Sequence, residues 1–224
     1  MAGCFITFEG GEGAGKSTQI GRLKNRLQQL DHSTLVTREP GGSPRAEEIR
    51  AFLLGGHAKH LGPFAEALLF AAARIDHLDK TIVPALKNGV HVLCDRFADS
   101  TRAYQGSVGN IDKTLIDQLE RVTLRGVKPD LTFILDLPAE VGLARARARQ
   151  AGKGEGADRF EDEDVSFHQS LRQAYLSIAR ADPGRCVVVN ADQAPDEVEA
   201  AIWAALRERL PRITQSAVRP LDVA

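Results

Sequence analysis

The feature that most constrains this chain is the stretch Phe8-Glu9-Gly10-Gly11-Glu12-Gly13-Ala14-Gly15-Lys16-Ser17-Thr18. It fits G-x-x-x-x-G-K-[ST], with Gly10, Gly15, Lys16 and Ser17 in the fixed places. An apolar run, Cys4 to Phe8, precedes it and reads as a buried strand. Ile20, Leu23, Leu27 and Leu30 follow at helical spacing. Strand, glycine loop and helix is the context in which this pattern binds phosphate. Backbone N–H groups from Gly10, Gly11, Glu12, Gly13, Ala14 and Gly15 can curl around an anion, and the helix N-terminus adds partial positive charge. Lys16 is expected to reach the β- and γ-phosphates of a nucleoside triphosphate, and Ser17 to hold Mg²⁺, with Thr18 beside it. A glycine turn followed by a chance Lys-Ser pair would lack both flanks.

Further apolar β-type runs lie at Thr34–Thr37, Val90–Cys94, Leu131–Leu137 and Cys186–Val189, with helical patterns between them. This alternation predicts a five-stranded parallel sheet with helices on both faces. Ser43-Pro44 with Glu47 and Glu48 reads as a helix start. A long helical pattern runs from Phe64 to Lys87, with Pro84 kinking its end. Asp112 to Arg125 carries Leu115, Leu119 and Val122 on one face. Residues 150–157, rich in glycine and charge, read as a surface loop, and from Pro211 a loose tail is expected. One domain over 1–210 with a tail over 211–224 suits 224 residues.

The formal charge of −1 provides no basic field for nucleic acid. No apolar run approaches the ~18 residues of a membrane span, and the N-terminus has no secretory pattern. Cys4, Cys94 and Cys186 have no metal spacing and read as core residues of a cytoplasmic protein.

In open α/β sheets, ligands sit at the carboxyl ends of the strands. The second strand leads into Thr37-Arg38-Glu39-Pro40-Gly41-Gly42 and the third into Asp95-Arg96-Phe97. Two arginines thus arrive at the edge that carries Lys16. An apolar strand ending in Asp95 also suits Mg²⁺. These segments, with Phe70-Ala71-Ala72-Ala73-Arg74, Ser100, Ala103-Tyr104-Gln105-Gly106, Pro129-Asp130-Leu131, Leu135-Asp136 and Asp158-Arg159-Phe160-Glu161, resemble the signature set of the thymidylate kinase family. The resemblance runs from Phe5 to the last helix.

It implies a P-loop nucleoside monophosphate kinase fold, transfer of the ATP γ-phosphoryl group to dTMP in dTTP biosynthesis, and a homodimer packed through helices. Residue by residue, it implies that Phe70 stacks on thymine and Arg74 hydrogen-bonds it. Ser100 and Gln105 flank the base, Tyr104 occupies the space of a 2′-hydroxyl, and Glu12 approaches the 3′-hydroxyl. Arg38 and Arg96 clamp the acceptor phosphate, a task suited to planar guanidinium donors. Asp192, in Asn190-Ala191-Asp192-Gln193, lines the adenine edge, with Arg145 also on the ATP side. The phosphate loop holds no arginine, whereas Arg145, Arg147, Arg149, Lys153 and Arg159 surround a lid at about 145–160. This resembles the bacterial type, in which the lid supplies the catalytic arginine, here Arg147 or Arg149. The alternatives are a kinase for another nucleoside or monophosphate, and a GTPase, whose guanine-reading Asn-Lys-x-Asp is lacking.

Overall fold

The structure is a computed structural model that describes residues 2–153, 160 and 163–216. Five strands, β1 (Phe5–Glu9), β2 (Thr34–Arg38), β3 (His91–Asp95), β4 (Leu131–Asp136) and β5 (Cys186–Asn190), form one sheet in the order β2-β3-β1-β4-β5. Every pairing is parallel. β1 lies at the centre with all five residues buried. Its side chains alternate between faces, as the period of two requires. Ile6 and Phe8 join Ile20, Leu23 and Leu27 of α1 (Lys16–Gln28) and Val198, Ile202 and Leu206 of α9 (Pro195–Arg209) on one side. Phe5 joins Leu78, Ile82, Val92 and Phe97 on the other. The chain crosses to opposite sides of β1, so a crevice opens at its carboxyl end, as expected where the strand order reverses.

The expected five-stranded α/β sheet is present, and the strands match the five apolar runs to within one residue at most ends. The helices differ more. After α2 (Pro44–Leu54), the pattern over 64–87 resolves into α3 (Gly62–His77), a wider π turn at Leu78–Ile82 and α4 (Val83–Lys87). The wider turn makes room upstream of Pro84, whose ring would crowd the carbonyl of an ordinary preceding turn. Ser43 occupies the cap position of α2, but its hydroxyl donates to Asp76 Oδ2 at 2.7 Å.

α5 (Ala98–Thr101) and a π turn over Arg102–Val108 precede α6 (Lys113–Leu124). α6 buries a different stripe from the one anticipated. Ile116, Glu120, Thr123 and Leu124 point inward, while Leu115 and Val122 are 39% and 67% exposed. Ile116 and Leu124 carry the apolar burial of that stripe, and Arg102 offsets the burial of Glu120 by pairing with it at 2.5 Å. α7 (Ala139–Lys153) and α8 (Val165–Ala181) complete the set. α7 runs into the expected loop at 150–157, since one interior glycine costs only about 1 kcal/mol and need not stop an alanine- and arginine-rich helix. The rest of that loop, with Arg159, lies outside the described residues. The expected tail is docked at its start: Ile213, in a turn over Pro211–Ile213, is buried in the main core. The three cysteines are buried free thiols.

Candidate active site

The phosphate loop joins the buried end of β1 to α1. Gly10, Gly13 and Gly15 adopt φ of 135°, 66° and 86°, which favour glycine. The loop also packs backbone on backbone against α7. A methyl group placed on Gly13 would come within 2.1 Å of the Gly142 carbonyl oxygen, and one on Gly142 within 2.4 Å of the Glu12 carbonyl oxygen. Lys16 donates to the carbonyls of Gly10 and Gly11 at 3.1 and 2.9 Å. Burial lowers its pKa, as does Arg96, against the carboxylates of Glu12, Asp95 and Glu9. Ser17 donates to Asp95 Oδ2 at 2.8 Å. That pair presents two hard oxygen donors at the loop mouth, the donor type that suits Mg²⁺.

A cavity of about 870 Å³ opens over the strand ends. Residues 12–18, Arg38, Asp95 and Arg96 line its phosphate side. Phe70, Arg74, Ser100, Tyr104 and Gln105 line the remainder, with Arg50, Leu54 and Phe160. Arg38 is 55% exposed and pairs with Glu47 at 3.0 Å. Such an exposed pair is worth little and can be exchanged for a phosphate. Arg96 is largely buried and bonded to Glu12. Burial alone would raise the Glu12 pKa, but Arg96, Lys16 and the Tyr104 hydroxyl at 3.1 Å hold it down at about 2. The Tyr104 ring packs edge-on against Phe160 and lies under the Arg96 guanidinium.

Arg74 and Phe70, four apart on α3, both face the cavity. Arg74 is buried and held on three sides. It donates to Glu39 Oε2 at 2.6 Å, to Thr101 Oγ1 at 3.1 Å and to the Phe97 carbonyl at 3.3 Å. Glu39, before a cis proline, also meets His77 Nδ1 at 3.0 Å, and His77 Nε2 meets Thr37 Oγ1 at 2.7 Å. The Ser100 hydroxyl donates to Glu9 at 2.7 Å.

The lid arginines separate. Arg149 lies on the cavity wall, and its charge bears on Glu12. Arg147 is exposed and absent from that wall. Arg145 turns to the Ala191 carbonyl at 3.1 Å and to Asp192 at 3.5 Å, so these two ATP-side candidates meet each other. Sequence reasoning did not single out Glu9, His77, Arg50 or Tyr175. It gave Glu39 no role of its own. Glu9 ends β1 and Glu39 directly follows β2, a local signal that does not reveal burial, and His77, at the end of α3, carries none.

The family model described as thymidylate kinase matches residues 8–202. The chain is 60% identical over 209 residues to the thymidylate kinase of Bradyrhizobium diazoefficiens, covering 93% of this chain and 90% of that one. It is 58% identical over 211 residues to that of Nitrobacter hamburgensis, covering 94% and 90%. Among solved structures, it resembles the thymidylate kinase from Ehrlichia chaffeensis with a TM-score of 0.73 and 33% identity, covering 92% of this chain and all of that one.

Proposed function

The chain belongs to the thymidylate kinase family, and from that premise we propose how its cleft moves the γ-phosphoryl group of ATP onto dTMP, giving dTDP for dTTP synthesis. The observation that carries the reading is one continuous cleft. Lys16, Arg38 and Arg96 line its anionic path, and Phe70, Arg74 and Tyr104 line the part suited to a base and a deoxyribose.

ATP binds with its phosphates in the loop, against Lys16 and the amides of residues 10–15. Ser17 and Asp95 would hold Mg²⁺, which would neutralise phosphate charge there. The acceptor phosphate has its second pKa near ~6 and is largely dianionic at neutral pH, so it needs no strong base. The barrier lies in aligning two anions that repel each other. Arg38 and Arg96 grip the acceptor, and Glu12 turns toward the 3′-hydroxyl once a phosphate competes for Arg96. Phe70 stacks on thymine while Arg74, locked by Glu39, donates to its edge. Gln105 and Ser100 close that end, and Tyr104 fills the space a 2′-hydroxyl would need. Arg149 supplies the lid charge. Arg145 and Asp192 lie toward the adenine.

A second copy of the chain covers the face of α3 and α6. Phe64, Leu68 and Ile75 form an exposed apolar stripe at helical spacing, and Leu115 and Val122 are exposed on α6, which packs against α3. Sedimentation should give a dimer, and Leu68→Glu should give monomers. Three buried thiols suit a reducing cytoplasm, and no described helix is long and apolar enough to cross a membrane.

The test is turnover of dTMP with ATP by the wild type and Lys16→Ala, measured beside circular dichroism. Loss of turnover in a folded variant supports the assigned ATP site, and substantial remaining turnover overturns it.

A further inference from the structure

Arg96 stands just past β3 with a backbone φ of 67°, a left-handed conformation that a non-glycine residue adopts only when its surroundings impose it. Part of what holds it is a buried chain of hydrogen bonds. Arg96 Nη1 donates to the Gly10 carbonyl at 3.2 Å and to the hydroxyl of Tyr175 at 3.0 Å. Tyr175 comes from α8 and is 1% exposed. Its hydroxyl lies 2.8 Å from Ser100 Oγ, which lies 2.7 Å from Glu9 Oε2. The other Glu9 oxygen accepts the Phe97 N–H at 2.7 Å.

The direction of this chain is fixed by chemistry. A guanidinium only donates, and Glu9, whose pKa is pushed up to about 7 by burial and by the charge of Asp99, only accepts when it is ionised, the state for which the chain is drawn. Arg96 therefore donates to Tyr175, Tyr175 to Ser100, and Ser100 to Glu9. A phenylalanine would fill the volume at 175 equally well, so packing alone does not call for the hydroxyl. Burial raises the Tyr175 pKa well above the usual phenol value and keeps the proton it donates.

We propose that Tyr175 is a positioning residue for acceptor binding: with Glu9 as the fixed end of the chain, it orients the Arg96 guanidinium toward the phosphate of dTMP. This rests on the reading of Arg96 as an acceptor clamp. The planar fork of a guanidinium must be aimed to make two bonds to one phosphate. One of its terminal nitrogens is held by Tyr175 and Gly10, with Ser100 Oγ farther off at 3.4 Å, and the other by Glu12. A bound phosphate can displace Glu12, a carboxylate at the cavity wall, while the buried phenol remains as the fixed support.

The experiment compares calorimetric affinities of the wild type and Tyr175→Phe for dTMP and for thymidine, which lacks the phosphate. The expected result is a loss of about tenfold for dTMP, the scale of one hydrogen bond to a charged group, with thymidine affinity and the KM for ATP unchanged. An equal loss for both ligands assigns Tyr175 to packing and overturns the proposal, as does no loss for either. In an Arg96→Ala background, Tyr175→Phe should cost dTMP nothing further, and a second tenfold loss there would show that Tyr175 acts elsewhere and overturn it. If Arg96→Ala itself leaves the preference for dTMP over thymidine intact, the clamp reading has failed, and the chain's role falls with it. Should Tyr175→Phe fail to fold, Glu9→Gln is measured in the same way. Its amide cannot accept from both Phe97 and Ser100, so the same dTMP-specific loss is expected, and its absence overturns the proposal.

Discussion

Gly13 and Gly142 touch through their backbones, so the phosphate loop and α7 share a contact with no room for a side chain. The helix that carries Arg149 is thereby fixed against the phosphate loop. Gly142→Ala should push the loop out of place, because its methyl would meet a carbonyl and not a flexible side-chain tip. The KM for ATP should rise by about tenfold or more, with a smaller change in the KM for dTMP. Steady-state kinetics with each substrate varied in turn checks this.

Glu39 and Arg74 form an ion pair with both side chains at least 96% buried. Removing one partner of such a pair typically costs about 3–5 kcal/mol, because the other charge is left unmatched. Glu39→Gln keeps one acceptor oxygen and is the milder probe. It should lower thermal stability and raise the KM for dTMP far more than that for ATP, since Arg74 faces only the acceptor part of the cleft. His77→Asn, which retains a donor where Nδ1 meets Glu39, should disturb dTMP binding less than His77→Ala.

Arg145 and Arg149 lie four apart on α7, whereas Arg147 projects from a different side. Only Arg149 of the three reaches the cavity wall. Arg149→Ala should slow the single-turnover chemical step by about 10² or more, within the range of arginines that stabilise phosphoryl transfer. Arg149→Lys should not restore it, because an ammonium cannot span two phosphate oxygens. Arg147→Ala should change the rate by less than about twofold.

At the opposite end of the sheet, the Cys4 N–H donates to His91 Nδ1 at 2.9 Å. The neutral His91 ring must then carry its proton on Nε2, which faces His32 Nδ1 at 3.2 Å, and His32 Nε2 donates to the Gln215 carbonyl at 2.7 Å. Burial, with His32 and Arg212 nearby, lowers the His91 pKa to about 4, against the opposing charge of Asp130. The unfolded chain takes up this proton near pH ~6.5, so the stabilisation is complete above that pH and is lost as the pH falls toward 4. Melting temperature should fall through that window. His91→Asn keeps an acceptor for Cys4 and should flatten the slope.

The sheet and the phosphate loop are legible in the sequence for a physical reason. Strands buried on both faces must be continuous apolar runs, and a phosphate loop needs glycines at fixed places. The α6 stripe is not legible, because Leu115, Leu119 and Val122 satisfy the helical period as well as Ile116, Thr123 and Leu124 do. That the inward stripe contains Glu120, matched by Arg102 from another element, is also invisible in the helix's own sequence. The supporting groups of the site are hidden similarly. Glu9 meets Ser100 across 91 positions, Arg96 meets Tyr175 across 79, and Arg74 meets Glu39 across 35. In sequence, the supporting partners Glu9, Tyr175 and Glu39 read as ordinary charges or a core aromatic until the fold brings them to Ser100, Arg96 and Arg74.

Phosphorylation of dTMP in this cleft can be read out directly. The most direct measurement is diphosphate formation with ATP and Mg²⁺ across a panel of dTMP, dUMP, UMP, dCMP and dGMP. The expected result is the highest kcat/KM for dTMP and a low value for UMP, whose 2′-hydroxyl would meet Tyr104. Phe70→Ala should reduce kcat/KM for dTMP through KM, as loss of base stacking requires. Equal turnover of all five monophosphates, or faster turnover of dCMP or dGMP than of dTMP, would contradict dTMP as the acceptor.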